Sequence, residues 1–207
     1  MSTNVNSDNS EIKQRLIQVA TRLFASLGYT STSISMIVSE AGVTKPVLYY
    51  YFGSKKGLFD ALFREYFSDF IAIMQKAIDM DGSLRKKLTT LTVQQFLYCR
   101  SYPDRFRFVF QTVIGPSQGP GKKEFNEFKR LMGEKLGSMF SKAVTTGQIL
   151  PHNLELLGLS YIGMVHMFMM KHAMDQDFEL SEKSAAFLVE LFLNGVGSET
   201  NRQEQTE

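Results

Sequence analysis

The residues best suited to chemistry in this 207-residue chain lie between positions 33 and 55, in the stretch SISMIVSEAGVTKPVLYYYFGSK. Hydroxyls (Ser33, Ser35, Thr44), phenols (Tyr49, Tyr50, Tyr51) and lysines (Lys45, Lys55) flank an Ala-Gly-Val turn. Such groups offer hydrogen bonds and positive charge to phosphates and base edges. Two short helices around a glycine turn are a device for laying the second helix into the major groove of DNA. Thr44 and Lys45 stand where that second helix begins, so a hydroxyl, backbone N–H groups and the positive helix end converge there. Pro46 removes one N–H from the first turn, where little is lost, and Val47 offers methyl groups to a thymine methyl. Tyr49, Tyr50 and Tyr51 cannot point one way, because successive helical side chains diverge by about 100°. Lys55 opens the next helix, where a cation opposes the helix dipole and a phosphate would reverse the sign. Ser33 and Ser35 open the helix before the turn and can add backbone contacts, although capping alone accounts for Ser33.

Helices must hold these groups. Ile12, Leu16, Val19, Ala20, Leu23, Phe24 and Leu27 follow three-four spacing over residues 11 to 27, and Gly28 stands at the expected stop. A second helix runs from the Ser33 cap to Glu40, and a third begins after Thr44. A fourth runs from the Ser54 cap to about Met80, long enough to leave the head and act as a lever. Further helices are expected at about 83–101, 103–114, 122–146, 153–174 and 181–196, with GPSQGPG at 115–121 as a loop. No alternating strand pattern occurs. The expected fold is all-α with about nine helices: a three-helix head over 11–56 and a larger helical domain over 57–197. The polar segments 1–10 and 198–207 are expected as disordered tails.

The last two helices are apolar on more than one side, so one side can pack within the chain and the other on a second copy. Leu154, Leu157, Tyr161, Val165 and Phe168 with Leu188 and Phe192 are the stripes assigned to that interface; burial of both faces within one chain is the alternative. The second domain is rich in Phe and Met, which can line an adaptable apolar pocket as well as a plain core. The pocket set is Arg100, Phe106, Arg107, Phe110, Gln111, Met132, Tyr161, His166 and Met170.

Composition narrows the function classes. Residues 1 to 64 carry seven Lys or Arg against four Asp or Glu, and the rest carries 16 against 17, so the positive excess sits with the motif. The one cysteine, Cys99, excludes an internal disulfide and fits a reducing cytoplasm. No apolar run reaches the roughly 18 residues of a membrane span, and the N-terminus has no signal-peptide pattern. His166 and His172 are six residues apart, on different helix faces, which argues against a metal site. No paired carboxylates, nucleophile with a base, or phosphate loop supports an enzyme, and no cofactor is expected. A helical adaptor would leave the Tyr and Lys pattern unexplained.

The head resembles the TetR family of bacterial transcriptional regulators, from LFASLGYTSTSISMIV through AGVTK to LYYYFGSKKGLF, over roughly residues 11 to 63. The resemblance implies a homodimer on a near-palindromic operator in double-stranded DNA, with a helical second domain that binds a small-molecule effector. Most members repress, and an activator or a ligand-independent binder remains within the class. It also implies that Tyr49 and Tyr50 reach phosphates or sugar edges and that Phe52 returns to the core. Tyr51 stands where the family often carries His, and Pro46 where glycine is more usual.

Overall fold

The computed structural model describes residues 3–114 and 120–196. Among them the chain forms nine α-helices and no strand: α1 (Thr3–Ser31), α2 (Ile34–Ala41), α3 (Lys45–Phe52), α4 (Lys55–Asp79), α5 (Leu84–Ser101), α6 (Pro103–Ile114), α7 (Lys122–Thr145), α8 (Leu154–Met174) and α9 (Glu182–Val196). Apolar periodicity placed all nine. The loop expected at 115–121 lies outside the described residues at 115–119, as does the C-terminal tail.

Helix α1 departs from expectation at its start. It begins at Thr3 rather than near residue 11. The sequence before Gly28 contains neither glycine nor proline, so nothing stops a polar helix there, and Asn9 gains a tertiary hydrogen bond from Tyr51. An apolar stripe marks where a helix is buried, not where it ends.

The chain divides into two compact units. The first combines the residues up to and including Ser68 with Tyr102–Glu127, so it takes in the start of α4 and all of α6, which were expected in the second domain. The physical reason is an aromatic core. Phe108 of α6 lies 4.7 Å from Phe59, 5.8 Å from Tyr66 and 6.1 Å from Phe24, measured between ring centroids. Polar ties hold the same surfaces: Gln111 Nε2 donates to the Ala25 carbonyl of α1 at 2.7 Å, and the Thr21 and Tyr66 hydroxyls meet at 2.5 Å. The entry to α7 is fixed by Gly121, whose φ of 78° and close neighbours exclude a side chain. Its N–H donates to Oδ1 of the buried Asp60 at 3.1 Å.

The second unit holds Asp69–Ser101 and the residues from Phe128 on. Helix α5 packs on α8 and α9, and its Leu88, Leu91, Thr92 and Phe96 are buried. Tyr161 is fully buried, and its hydroxyl meets that of Thr92 at 2.9 Å, with Phe192 5.6 Å from its ring. Burial pushes the phenol's pKa upward.

This packing corrects the assignment of Leu157, Tyr161, Val165, Leu188 and Phe192 to an interface between copies. All five are buried inside the chain, and Leu154 and Phe168 are partly so. The exposed apolar face lies elsewhere on the same helices: Leu156, Leu159, Met167 and Met174 on α8, with Phe187 and Leu191 on α9. The stronger stripe in each helix is the one the chain's own core consumes. Among the described residues, no helix is long and apolar enough to cross a membrane.

Candidate nucleic-acid interface

The turn between α2 and α3 is built as a glycine C-cap. Gly42 adopts φ 64°, and the Val43 N–H donates to the Val38 carbonyl at 2.9 Å. Ser33 Oγ caps the other end of α2 by accepting from the Met36 N–H at 3.1 Å. Ile37, Val38 and Ala41 of α2 and Leu48 of α3 are buried. The apolar side of the pair is spent on packing, and its polar side faces outward.

Thr44 takes the N-cap position of α3, but its hydroxyl makes no capping bond. The hydroxyl therefore stands unspent and exposed at the positive end of α3, beside exposed Lys45 and Pro46. Tyr49 is 46% and Tyr50 80% exposed, while Val47 and Phe52 are half-buried. Ser35 is exposed beside Ser33. Tyr51 differs from its neighbours. Its ring is half-buried, and its hydroxyl donates to the Asn9 carbonyl at 3.0 Å and to Asn9 Oδ1 at 3.1 Å.

Lys55 and Lys56 share the start of α4 and fare differently. Lys56 bonds to the Asp60 carboxylate, which neutralises it. Lys55 has no carboxylate partner among the described residues; its ammonium lies 4.2 Å from the centroid of the Tyr29 ring. That ring is itself fixed, stacked on Phe24 at 5.8 Å and edge-on to Phe59 at 5.1 Å. Gly28, with φ 77° and ψ 171°, kinks α1 and carries Tyr29 into place. Partial burial lowers the Lys55 pKa from its ordinary value, and burial followed by the Asp60 charge raises that of Tyr29. The ring contact under Lys55 was not read from the sequence, although Gly28-Tyr29 was part of the family pattern.

The pocket set is divided between the two units. Phe106, Arg107, Phe110 and Gln111 belong to the first unit, and Arg100, Met132, Tyr161, His166 and Met170 to the second. Several have partners already: Gln111 bonds to α1, Arg107 lies 3.7 Å from Asp104, Arg100 donates to the Leu180 carbonyl at 3.2 Å, and Tyr161 is a core pin. Four-residue spacing showed that Arg107 and Gln111 share a face but not what that face meets. A cavity of about 430 Å³ in the second unit, lined by Ile78, Lys87, Met139, Lys142 and Gln148 among others, includes none of the set. His166 is held uncharged by burial, with its pKa lowered to about 4. Among the described residues, no group of three or more His, Cys, Asp or Glu could hold a metal ion.

An exposed helix with a hydroxyl at its cap, a lysine in its first turn and phenols along it, supported by a glycine-capped helix-turn-helix, is the arrangement of a DNA-binding regulator. Residues 16–62 match the family model of bacterial regulatory proteins, tetR family. The fatty acid metabolism regulator protein of Bacillus subtilis is 24% identical over 135 residues, covering 65% of this chain and 69% of that relative. The HTH-type transcriptional regulator YerO of the same organism is 24% identical over 184 residues, covering 87% of this chain and 63% of that relative. The crystal structure of FadR from Bacillus subtilis in complex with stearoyl-CoA matches with a TM-score of 0.77 at 20% identity, covering 89% of this chain and 99% of that one. At that identity the likeness establishes the fold. Over residues 16–62 the chain is thus similar to the TetR family of bacterial transcriptional regulators.

Proposed function

We propose that this DNA-binding regulator is a homodimeric, cytoplasmic repressor that leaves a near-palindromic operator when a long-chain acyl-CoA binds its helical second domain. In this reading Thr44, Lys45, Tyr49, Tyr50 and Lys55 meet the DNA, with Ser33 and Ser35 on the flanking backbone. The observation that carries it is the exposed side of α3 and the start of α4, which carry an uncapping hydroxyl, exposed phenols and a lysine that has no carboxylate partner among the described residues. Two such helices fit successive major grooves about 34 Å apart. Half-buried Val47 has less freedom to reach a thymine methyl than an exposed residue, so base preference rests on the other contacts.

The exposed apolar face of α8 and α9 supports the dimer, because apolar patches of this kind mark association surfaces. The acyl-CoA class is supported by the fold's likeness to the FadR complex with stearoyl-CoA. Repression follows if the ligand favours a conformation whose heads no longer match the operator; its effect equals its differential affinity for the two states.

Fluorescence anisotropy tests the reading, with DNA from upstream of the protein's own gene, unrelated competitor DNA, and stearoyl-CoA titrated against stearate and free CoA. Binding that survives the competitor and is released by stearoyl-CoA alone supports it. Specific binding indifferent to all three ligands refutes the effector class and leaves the DNA reading standing.

A further inference from the structure

The three tyrosines of α3 have unequal support. Tyr50 projects furthest, at 80% exposure, and its ring rests edge-on against Tyr51, with centroids 5.1 Å apart and planes at 76°. An exposed side chain with no such rest samples its rotamers freely and must be immobilised on binding. Tyr51 in turn needs an anchor, because its ring borders a groove of about 270 Å³ lined by Lys13, Ile17, Phe52 and Leu62 among others. Packing leaves that ring room to move, and its bonds to Asn9 hold it.

We propose that Tyr51 is a positioning residue: anchored by its hydroxyl to the leading turns of α1, it holds Tyr50 in its DNA-contacting pose, which makes those turns part of the DNA-binding apparatus. This rests on the reading that Tyr50 meets DNA. The chemistry of the phenol favours the anchor over a phosphate contact by Tyr51 itself. A phenol has one proton to donate, the Asn9 carbonyl and amide oxygens share it, and a phosphate diester offers no proton in return. The support exists because α1 continues back past Asn9 to Thr3.

The test is a double-mutant cycle on DNA that the full-length protein selects from a random pool, read by anisotropy at fixed salt with thermal melts alongside. Tyr51→Phe keeps the ring and removes the anchor; it is expected to weaken binding about three- to tenfold, the range of one hydrogen bond. In a Tyr50→Ala background the same change should cost less than about twofold, because the side chain it positions is gone. Removing residues 2–9 takes away both acceptors and should mimic Tyr51→Phe and add nothing to it, whereas Asn9→Ala keeps the backbone carbonyl and should cost less.

Losses that simply add would mean that Tyr51 touches DNA independently, which overturns the proposal. Unchanged affinity in Tyr51→Phe overturns it too, as does a loss matched by unfolding at the assay temperature. If Tyr50→Ala alone leaves affinity intact, the placement of Tyr50 on DNA fails first and takes the proposal with it.

Discussion

Lys55 offers the sharpest test of how the head meets DNA, because its charge and its placement can be removed separately. The ammonium sits over Tyr29 with no carboxylate partner among the described residues, so its charge is available to a phosphate. Each neutralised phosphate steepens the fall of log affinity with log salt by about 0.9, so two copies of Lys55 in the proposed dimer would contribute about 1.8. Over a fourfold rise in salt, from about 50 to 200 mM, that is a factor of roughly 12. The wild type should therefore lose about 12-fold more affinity across this range than Lys55→Ala. Tyr29→Leu keeps the charge and removes the ring beneath it. Its slope should be unchanged, while affinity at fixed salt falls about two- to fivefold per subunit, the worth of an exposed cation–π contact. Anisotropy on one operator at four or five salt concentrations gives both numbers. Equal slopes for wild type and Lys55→Ala would refute the phosphate contact, and a flattened slope in Tyr29→Leu would refute the division of roles.

Three further outcomes can be checked without knowing the operator. Gly121→Ala would place a Cβ 3.0 Å from Phe59 and 3.1 Å from Thr112 at a φ of +78°. The expected cost is about 1–3 kcal/mol, read as a drop of roughly 3–10 °C in Tm; an unchanged Tm would contradict the packing described for α7. His166 has a folded pKa lowered from 6.5 to about 4, so the unfolded chain takes up a proton that the folded chain refuses. Its stabilising contribution is complete above the unfolded value and is lost as pH falls from 6.5 toward 4, by at most about 3 kcal/mol, and less because the residue keeps some exposed surface. Urea midpoints at both ends of that window should therefore differ less in His166→Gln than in the wild type. Leu159→Glu and Phe187→Glu should yield a folded monomer by sedimentation, whereas Leu157→Ala should lower stability first, because Leu157 is buried within the chain. Dimers that persist in both Glu variants would rule out the exposed face.

The helices were legible because their signals are local. Apolar residues recur at helical spacing, Ser33, Ser54 and Asn153 supply caps, and Gly28 and Gly42 take positive φ where each helix must turn. Partnership between helices was not legible. Phe108 reads as one more apolar residue of a Phe-rich segment, and only the fold sets it among Phe24, Phe59 and Tyr66. The same limit misassigned Tyr161 and Phe192, since periodicity identifies a buried stripe without saying what buries it. Tyr51 was ambiguous for a third reason. Its partner, Asn9, lies 42 residues away in a segment whose polar composition suggested no structure.

The positions that break local rules collect in one part of the head. Thr44 occupies an N-cap without capping, Lys55 places a cation at a helix N-terminus, and Tyr50 leaves a large ring in water. Each is mildly unfavourable in the free protein, and adjacent residues show that the alternative was available. Ser33 does cap, Lys56 does find a carboxylate, and Tyr51 does bury part of its ring and satisfy its hydroxyl. The free head therefore holds a hydroxyl that caps nothing and a cation on a ring rather than a carboxylate, beside groups that are fully paired. In the proposed complex a phosphate backbone would offer acceptors to the Thr44 and Tyr50 hydroxyls and negative charge to Lys55. Exceptions to local consistency tend to fall where a sequence serves binding rather than folding, and here they fall on the surface that the fold turns outward.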